Sequence, residues 1–264
     1  MSDEQNNTQE VTEKLQAVAV AEQAVEQAVE QAVPQRKKRI VLAVPGSKFS
    51  NNFLVSWTRT LFALWECGRY DVIIAPGTSS FVSFARMKTM GLDTLRGKDQ
   101  KPFNGMDYDV YVSFDSDVVF TPQQVVELIE STAAHPVVSG YYMMADMQHF
   151  AAVRDWNEQY FAEHGTFEFL KPSDIDEYNK TVNATFMSVN YTGMGFFACR
   201  KEVLDSLKYP YFDADLQRIT TASGVELVDL CGEDVAFCKN LTKAGYNIML
   251  HTGLRVGHEK SIIL

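Results

Sequence analysis

Residues 110–120 read Val-Tyr-Val-Ser-Phe-Asp-Ser-Asp-Val-Val-Phe, an apolar strand pattern interrupted by two aspartates, Asp115 and Asp117. Burying a carboxylate costs free energy unless the charge is compensated, and a divalent cation is one such compensator. If the chain is still extended here, the two-residue period of a strand places both carboxylates on one face, as in a metal site. If the strand has already ended, the aspartates instead begin a solvated turn before Thr121-Pro122. Taken alone, the segment leaves both interpretations open.

Composition excludes several classes of protein. The chain has 264 residues, 46% of them hydrophobic, which is enough for one large domain with appendages. A net charge of −10, with a single short basic cluster at residues 36–39, argues against a nucleic-acid partner. No apolar run approaches the roughly 20 residues of a transmembrane helix, and the acidic N-terminus is unlike a signal peptide. We therefore expect no transmembrane segment and a cytoplasmic location.

The first 36 residues differ in texture from the rest. The tetrad Ala-Val-Glu-Gln repeats from Ala24, and valines 25, 29 and 33 fall on one side of a helix that Pro34 ends. Such a narrow stripe predicts either a helical arm that forms a homo-oligomer with a copy of itself or a solvated, disordered extension. We therefore divide the chain into an acidic tail, residues 1–36, and a catalytic domain, residues 37–264.

Beyond the tail, strand and helix patterns alternate. Apolar runs at Ile40–Val44 and Tyr70–Ala75 each stop at a Pro-Gly pair, and helical spacing follows each of them. The aspartate segment is the third such run, and Thr121-Pro122 after it is a strong helix start. This order predicts an α/β fold with a mostly parallel, Rossmann-like sheet flanked by helices, followed by a mixed second half. Ligands of such sheets bind beyond the carboxyl ends of the strands, where the aspartates lie.

Three later segments also bear residues suited to chemistry. Gly193-Met194-Gly195 permits a close backbone approach or simply a tight hairpin. Gly232-Glu233-Asp234 places two acids in the first turn of a helix, where the helix dipole alone favours them. Gly257-His258 follows a strand pattern, and a lone histidine is usually structural. Each segment by itself has an ordinary structural explanation.

Taken in order, the four segments resemble the GT-A fold glycosyltransferases that use nucleotide-sugar donors, close to the family-2-like branch. The resemblance covers residues 39–260 and extends to Ala85-Arg86-Met87, which is similar to the Ala-Arg segment beside the nucleotide in many of these enzymes. It implies a GT-A fold whose mixed half binds the acceptor. It also implies a Mn²⁺ or Mg²⁺ cofactor on the donor diphosphate.

The resemblance assigns roles to individual residues. Asp117 and His258 are implied metal ligands, and Asp115 completes the metal group through a metal-bound water or reaches the ribose of the nucleotide. Asp234 is the implied catalytic base, because the acceptor hydroxyl must lose a proton to a nearby carboxylate. That role is the one in inverting members; in retaining members the same region orients the acceptor or donor sugar, and the sequence does not decide between the two. The remaining implied contacts are Pro45, Gly46 and Arg86 with the nucleotide, and Gly193, Met194, Gly195 and Glu233 with the substrate.

The predicted function is metal-dependent transfer of a hexose from a UDP- or GDP-linked sugar to a glycan or other hydroxyl acceptor. Two alternatives stay open. Asp115-Ser116-Asp117-Val118-Val119 also matches the motif of haloacid-dehalogenase-like phosphohydrolases, although there it normally ends the first core strand rather than the third. A non-catalytic module that binds a nucleotide sugar is the second alternative.

Overall fold

The computed structural model describes residues 36–260. The predicted tail helix and its self-association fall at residues 1–35, outside the described residues. The strands are β1 Lys38–Pro45, β2 Tyr70–Gly77, β3 Val110–Phe114, β4 Val118–Val119, β5 Val137–Tyr141, β6 Ala152–Val153, β7 Phe186–Val189, β8 Tyr191–Thr192, β9 Phe196–Arg200, β10 Leu216–Thr220, β11 Glu226–Leu230, β12 Ile248–Arg255 and β13 Gly257–His258. The helices are α1 Asn51–Glu66, α2 Val82–Thr89, α3 Pro122–Ser131, α4 Glu158–His164, α5 Pro172–Thr181, α6 Lys201–Ser206 and α7 Glu233–Lys243.

Seven strands form the central sheet in the order β2-β1-β3-β9-β5-β12-β7. β1 pairs in parallel with β2 and β3, and β5 pairs in parallel with β12. β9 runs antiparallel between β3 and β5, and β7 runs antiparallel at one edge. Five of the seven strands therefore share one direction, which confirms the predicted mostly parallel sheet with a mixed second half. None of the helices within residues 36–260 is long and apolar enough to cross a membrane.

Side chains alternate across β1 and supply a core on each face of the sheet. Ile40 and Leu42 pack with α1 and α3 on one face, where Phe53 and Leu128 are buried. Val41 packs on the opposite face with buried residues of α2 and α7. Each fully buried aliphatic side chain stabilises the fold by about 1.5–3 kcal/mol. Both faces are covered, which is why β1 reads as a continuous apolar run.

The Thr121-Pro122 start of α3 is formed as predicted. The Thr121 hydroxyl accepts a hydrogen bond from the Gln124 backbone N–H, and the Gln124 side chain accepts one from the Thr121 N–H. This reciprocal cap fixes the direction in which the chain leaves the aspartate segment.

The carboxyl ends of β1, β2 and β3 meet at one edge of the sheet. Pro45 lies opposite Gly77, the Gly46 N–H donates to the Gly77 carbonyl at 2.8 Å, and Ala43 lies opposite Ser113, two residues before Asp115. The two Pro-Gly pairs and the aspartate segment therefore converge, as expected for a parallel sheet.

Candidate active site

The aspartates lie in a turn, not in a strand. β3 ends at Phe114, and the Val118 N–H donates to the Asp115 carbonyl at 3.2 Å, which closes a turn around Ser116 and Asp117. Of the two interpretations of this segment, the turn is therefore the one observed, and the extended geometry that would place both carboxylates on one face is not formed. The two side chains have different partners.

Asp117 is paired with residues from the end of the described chain. β13 lies antiparallel to β4, and this pairing brings His258 Nε2 to 3.3 Å from Asp117 Oδ2. Lys260 Nζ lies 2.7 Å from the same oxygen. Partial burial acts to raise the pKa of Asp117, but hydrogen bonds from His258 and Lys260 and their charges hold it at about 2. This carboxylate is therefore ionised across the physiological range.

The His258 ring is oriented by its other nitrogen. Nδ1 lies 2.7 Å from the Met143 carbonyl, which can only accept, so Nδ1 carries a proton. Nε2 then faces the Asp117 carboxylate and needs either a proton or a cation between the two groups. A backbone carbonyl that fixes the tautomer in this way is the usual support of a metal-ligating histidine.

Asp115 belongs to a second ion-pair group, centred on Arg86. The guanidinium is 5% exposed and lies between two carboxylates, with Nη1 3.0 Å from Asp115 Oδ1 and Nε 3.1 Å from Glu233 Oε1. Burial acts to lower the pKa of Arg86, but the charges of Asp115 and Glu233 outweigh burial and raise it. Arg86 thus connects the turn after β3 with the first turn of α7, two segments that lie far apart in the sequence.

Asp234 is the neighbour of Glu233 on α7, and its carboxylate is hydrogen-bonded. Tyr191 Oη donates to Asp234 Oδ2 at 2.7 Å, and the Val235 N–H donates to Oδ1 at 2.9 Å. Burial and then the charge of Glu233 raise the pKa of Asp234, and the Tyr191 hydrogen bond opposes that rise. A carboxylate with a raised pKa accepts a proton more readily than an exposed one, as a general base requires.

The two glycines of the Gly193-Met194-Gly195 segment are required by a tyrosine. A Cβ at Gly193 would lie 2.2 Å from Tyr142 Oη, and one at Gly195 would lie 2.8 Å from the same atom. The Tyr142 hydroxyl also accepts a hydrogen bond from the Gly195 N–H at 3.1 Å. All three residues of the segment are buried, and the Met194 side chain packs in the core. The Tyr142 side chain occupies the space next to both glycines. The contact of these three residues with a substrate stays a prediction.

Pro45 and Gly46 lie at the end of β1, beside the aspartate turn. Gly46 has a φ of +130°, a conformation that other residues rarely adopt, and a Cβ there would lie 3.2 Å from Ser116 Oγ. The glycine therefore permits the loop after β1 to approach the aspartate turn closely, and both segments lie at the same edge of the sheet.

Three residues at this edge were not anticipated from the sequence. Tyr142 follows β5 directly and lies edge-to-face on the His258 ring at 4.7 Å between centroids. Tyr191 holds Asp234, and Lys260 holds Asp117. Tyr142 could have been found from the sequence as a polar or aromatic residue directly after a predicted parallel strand. Tyr191 and Lys260 have no such signal in the sequence.

Two of the three predicted metal ligands are placed so that they could bind one ion. Asp117 Oδ2 and His258 Nε2 are close enough to bind one cation at about 2.0–2.2 Å each, and an oxygen with an imidazole nitrogen suits Mn²⁺. Asp115 is directed to Arg86 instead. Within residues 36–260, no group of three His, Cys, Asp or Glu side chains is arranged to hold a metal. A bound ion would therefore need donors from a ligand or water.

Comparison with known proteins supports the fold. No protein-family model and no curated protein sequence matches the chain. Among solved structures, GalNAc-T7 with UDP, GalNAc and Mn²⁺ superposes with a TM-score of 0.51 at 11% identity, covering 85% of this chain and 43% of that one. A197 from STIV gives a TM-score of 0.46 at 18% identity, covering 85% and 86%. Glucosyl-3-phosphoglycerate synthase from Mycobacterium tuberculosis, with Mg²⁺ and UDP, gives 0.37 at 12%, covering 86% and 73%.

The chain has the fold of the GT-A glycosyltransferases, as the superposition on GalNAc-T7 shows. It spans less than half the length of that protein.

Proposed function

We propose that the chain is a metal-dependent glycosyltransferase that moves a hexose from a UDP- or GDP-linked sugar to a hydroxyl acceptor. The observation that carries this proposal is the pairing of Asp117 with His258 at the carboxyl edge of a GT-A sheet, with the His258 tautomer fixed by Met143. A carboxylate and an oriented imidazole are the ligands expected for Mn²⁺, and Mg²⁺ is the second choice.

In the proposed site, Asp117 and His258 would hold the ion. A divalent ion there would stabilise the negative charge that develops on the leaving nucleoside diphosphate. Lys260, which lies 2.7 Å from Asp117 and is partly exposed, is positioned to give that oxygen up and to pair with a phosphate instead.

The nucleotide would lie across the ends of β1 and β3, against Pro45 and Gly46. Asp115 would accept from a ribose hydroxyl or a metal-bound water with its partly exposed edge, while Arg86 keeps its carboxylate in place. Arg86 is nearly fully buried, so its role toward the nucleotide is to position Asp115 rather than to bind a phosphate itself.

Asp234 would take the proton of the acceptor hydroxyl as the new glycosidic bond forms and the bond to the diphosphate breaks. Its raised pKa suits that task, and the hydrogen bonds from Tyr191 to Oδ2 and from the Val235 N–H to Oδ1 hold the carboxylate in place. Glu233 would contact the substrate next to it. A sugar that reaches Gly193–Gly195 requires the Tyr142 ring to move.

The test is a thermal-shift screen of UDP, GDP, CMP and their sugars, each with and without Mn²⁺. At a ligand concentration of 100 times Kd, binding stabilises the native state by about 2.7 kcal/mol, or about 5–10 °C for a domain of this size. We expect one nucleotide to give this shift only with Mn²⁺, and Asp117→Ala or His258→Ala to abolish it. Asp146→Ala is the matched control, because Asp146 forms a similar pair with His149 at 2.8 Å on the surface. The proposal fails if no nucleotide shifts the melting point or if Asp117→Ala leaves the shift intact.

The two alternatives make different predictions. A phosphohydrolase needs Asp115 as a nucleophile, but both Asp115 oxygens face Arg86, at 3.0 and 3.3 Å. Hydrolysis of p-nitrophenyl phosphate that is abolished by Asp115→Asn and independent of nucleotide would support that alternative. Nucleotide binding without turnover on any acceptor would support a non-catalytic module.

A further inference from the structure

A cleft with a volume of about 380 Å³ lies in the mixed half of the chain, beside helix α5. One face of the helix lines it, with residues spaced three or four apart: Asp174, Glu177, Tyr178 and Thr181. Residues 154–155 and 168–170 line it from the other side. We call this space the α5 cleft. Its volume falls within the range of about 300–1,000 Å³ that is usual for small-molecule sites.

Aromatic and apolar side chains form part of the wall of the α5 cleft. The rings of Phe169 and Tyr178 are partly buried, and Leu170 and Met187 belong to the core. The Tyr178 ring is held in place, because its hydroxyl donates to the Phe186 carbonyl at 2.8 Å. The face of an aromatic ring carries partial negative charge, which attracts the C–H groups on the flat face of a sugar ring.

Hydrogen-bond donors and acceptors both line the α5 cleft. The Glu177 carboxylate has no hydrogen-bond or ion-pair partner within residues 36–260, and Asp155 Oδ2 has Arg154 Nε only at 3.8 Å. The Arg154 guanidinium is exposed and lies 6.0 Å from the centre of the Tyr178 ring. A hydroxyl group both donates and accepts hydrogen bonds, so a ligand rich in hydroxyls can use the carboxylates and the guanidinium together.

The charge of the α5 cleft is negative. Among the described residues that line it, Arg154 is the one cation, against four carboxylates, those of Asp155, Glu168, Asp174 and Glu177. Lys171 and Lys180 lie just before and within α5, but both are exposed and neither lines the cleft. A phosphorylated or carboxylated ligand would therefore be repelled.

We propose that the α5 cleft binds a neutral glycan, the acceptor of the transfer reaction. This inference rests on the proposed function and narrows its acceptor to one class. Aromatic rings connect the cleft with the candidate base: the centres of the Phe169 and Trp156 rings lie 6.1 and 6.4 Å from that of Tyr191, whose hydroxyl donates to Asp234. A glycan anchored in the cleft would lie across these partly buried rings with its end near Asp234.

A basic peptide fits the α5 cleft less well than a glycan does. Two of the four carboxylates already accept hydrogen bonds from the protein, Glu168 from Asn157 Nδ2 at 2.8 Å and Asp174 from the Lys171 N–H at 2.7 Å. A cationic side chain would also be repelled by Arg154, whereas a sugar hydroxyl can accept a hydrogen bond from it.

Isothermal titration calorimetry of the full chain with trisaccharides, without nucleotide or metal, tests the proposal. The neutral probes are maltotriose, cellotriose, mannotriose and N-acetylchitotriose, and trigalacturonic acid is the anionic probe. We expect at least one neutral trisaccharide to bind and trigalacturonic acid to bind about ten-fold more weakly. Glu177→Ala removes one hydrogen-bond acceptor and should weaken binding about five-fold. Phe169→Leu removes the ring and should weaken binding by a similar factor of about five.

Glu163→Ala and Phe62→Leu are the matched controls. Both residues are exposed, on α4 and α1, and neither lines the α5 cleft. These variants should bind the trisaccharide as the native chain does. An unchanged melting temperature of Glu177→Ala establishes that its loss of binding is not unfolding.

Several outcomes would overturn the proposal. They are no binding of any neutral trisaccharide, equal binding by Glu177→Ala and the native chain, and binding of trigalacturonic acid as tight as that of the neutral sugars. Binding of trilysine without binding of a neutral sugar would instead identify the cleft as a site for a basic peptide.

These measurements are separate from the nucleotide screen. Nucleotide binding without glycan binding refutes the acceptor site and leaves the proposed transferase function standing. Glycan binding that Glu177→Ala weakens, without any nucleotide binding, supports the cleft as a glycan site and refutes the transferase function.

Discussion

Replacing Arg86 by methionine tests whether the buried ion-pair group holds the site together. The substitution keeps the length of the side chain but removes the charge that lies 3.0 Å from Asp115 and 3.1 Å from Glu233. Removing one partner of a buried pair typically costs about 3–5 kcal/mol, because the remaining charges lose their compensation. For a domain of this size, that loss lowers the melting temperature by about 6–20 °C. Arg86→Lys should fall in between, since one ammonium cannot pair with both carboxylates as the guanidinium fork does.

The loss should be reversed in part by neutralising the partners. In Arg86→Met/Asp115→Asn/Glu233→Gln no unpaired charge remains, so we expect this triple variant to be more stable than Arg86→Met. Thermal and urea unfolding of the four proteins measure the difference. If Arg86→Met costs less than about 1 kcal/mol, or if the triple variant is no more stable than the single one, Arg86 does not compensate these carboxylates.

Three further predictions concern single groups of the site. Gly193→Ala should destabilise the fold by about 1–3 kcal/mol through contact with Tyr142, and Tyr142→Phe in the same chain should recover part of that loss in a thermal melt. The pKa of Asp117 is about 2 in the folded chain, against an ordinary value of 3.8. Its ionised form therefore stabilises the fold above pH 3.8, and this stabilisation is lost as the pH falls towards 2. The melting temperatures of the native chain and of Asp117→Asn should converge over that pH range. Because the Tyr191 hydrogen bond lowers the pKa of Asp234, Tyr191→Phe should move the acidic limb of a transferase pH profile to higher pH, and an unmoved limb would exclude Asp234 as the base.

The sheet was predictable because its central strands are buried on both faces. The run at Ile40–Val44 is apolar throughout, and Pro45-Gly46 stops it, so both the strand and its end are visible in the sequence. The antiparallel insertion of β9 between β3 and β5 was not predictable, because it depends on pairing across long stretches of chain. The α5 helix and the β10–β11 hairpin were also missed; their sparse buried residues leave little apolar periodicity.

The site was predictable in its location but not in its pairings. Local sequence shows that the chain carries polar groups to one sheet edge, and the strand order fixes which edge. It does not show that the chain turns at Ser116, which sends Asp115 to Arg86 and Asp117 to His258. The need for Gly193 was likewise hidden, since the obstacle is the side chain of Tyr142, which follows β5 and lies far away in the sequence.

Charge at this edge explains why a nucleotide would need a cation there. Four carboxylates lie near one another, those of Asp115, Asp117, Glu233 and Asp234. Within residues 36–260, the Lys and Arg side chains paired with them are Arg86, which is buried and already shared by two of them, and Lys260, which is 41% exposed and paired with Asp117. A diphosphate approaching this edge would be repelled, because Arg86 cannot turn to it without leaving its carboxylates unpaired. Lys260 is exposed enough to change partner, and it loses less by leaving Asp117 if that carboxylate acquires another positive charge. In the proposed site the metal ion and the phosphate would therefore be interdependent, since an ion held by Asp117 and His258 would favour the transfer of Lys260 to the diphosphate.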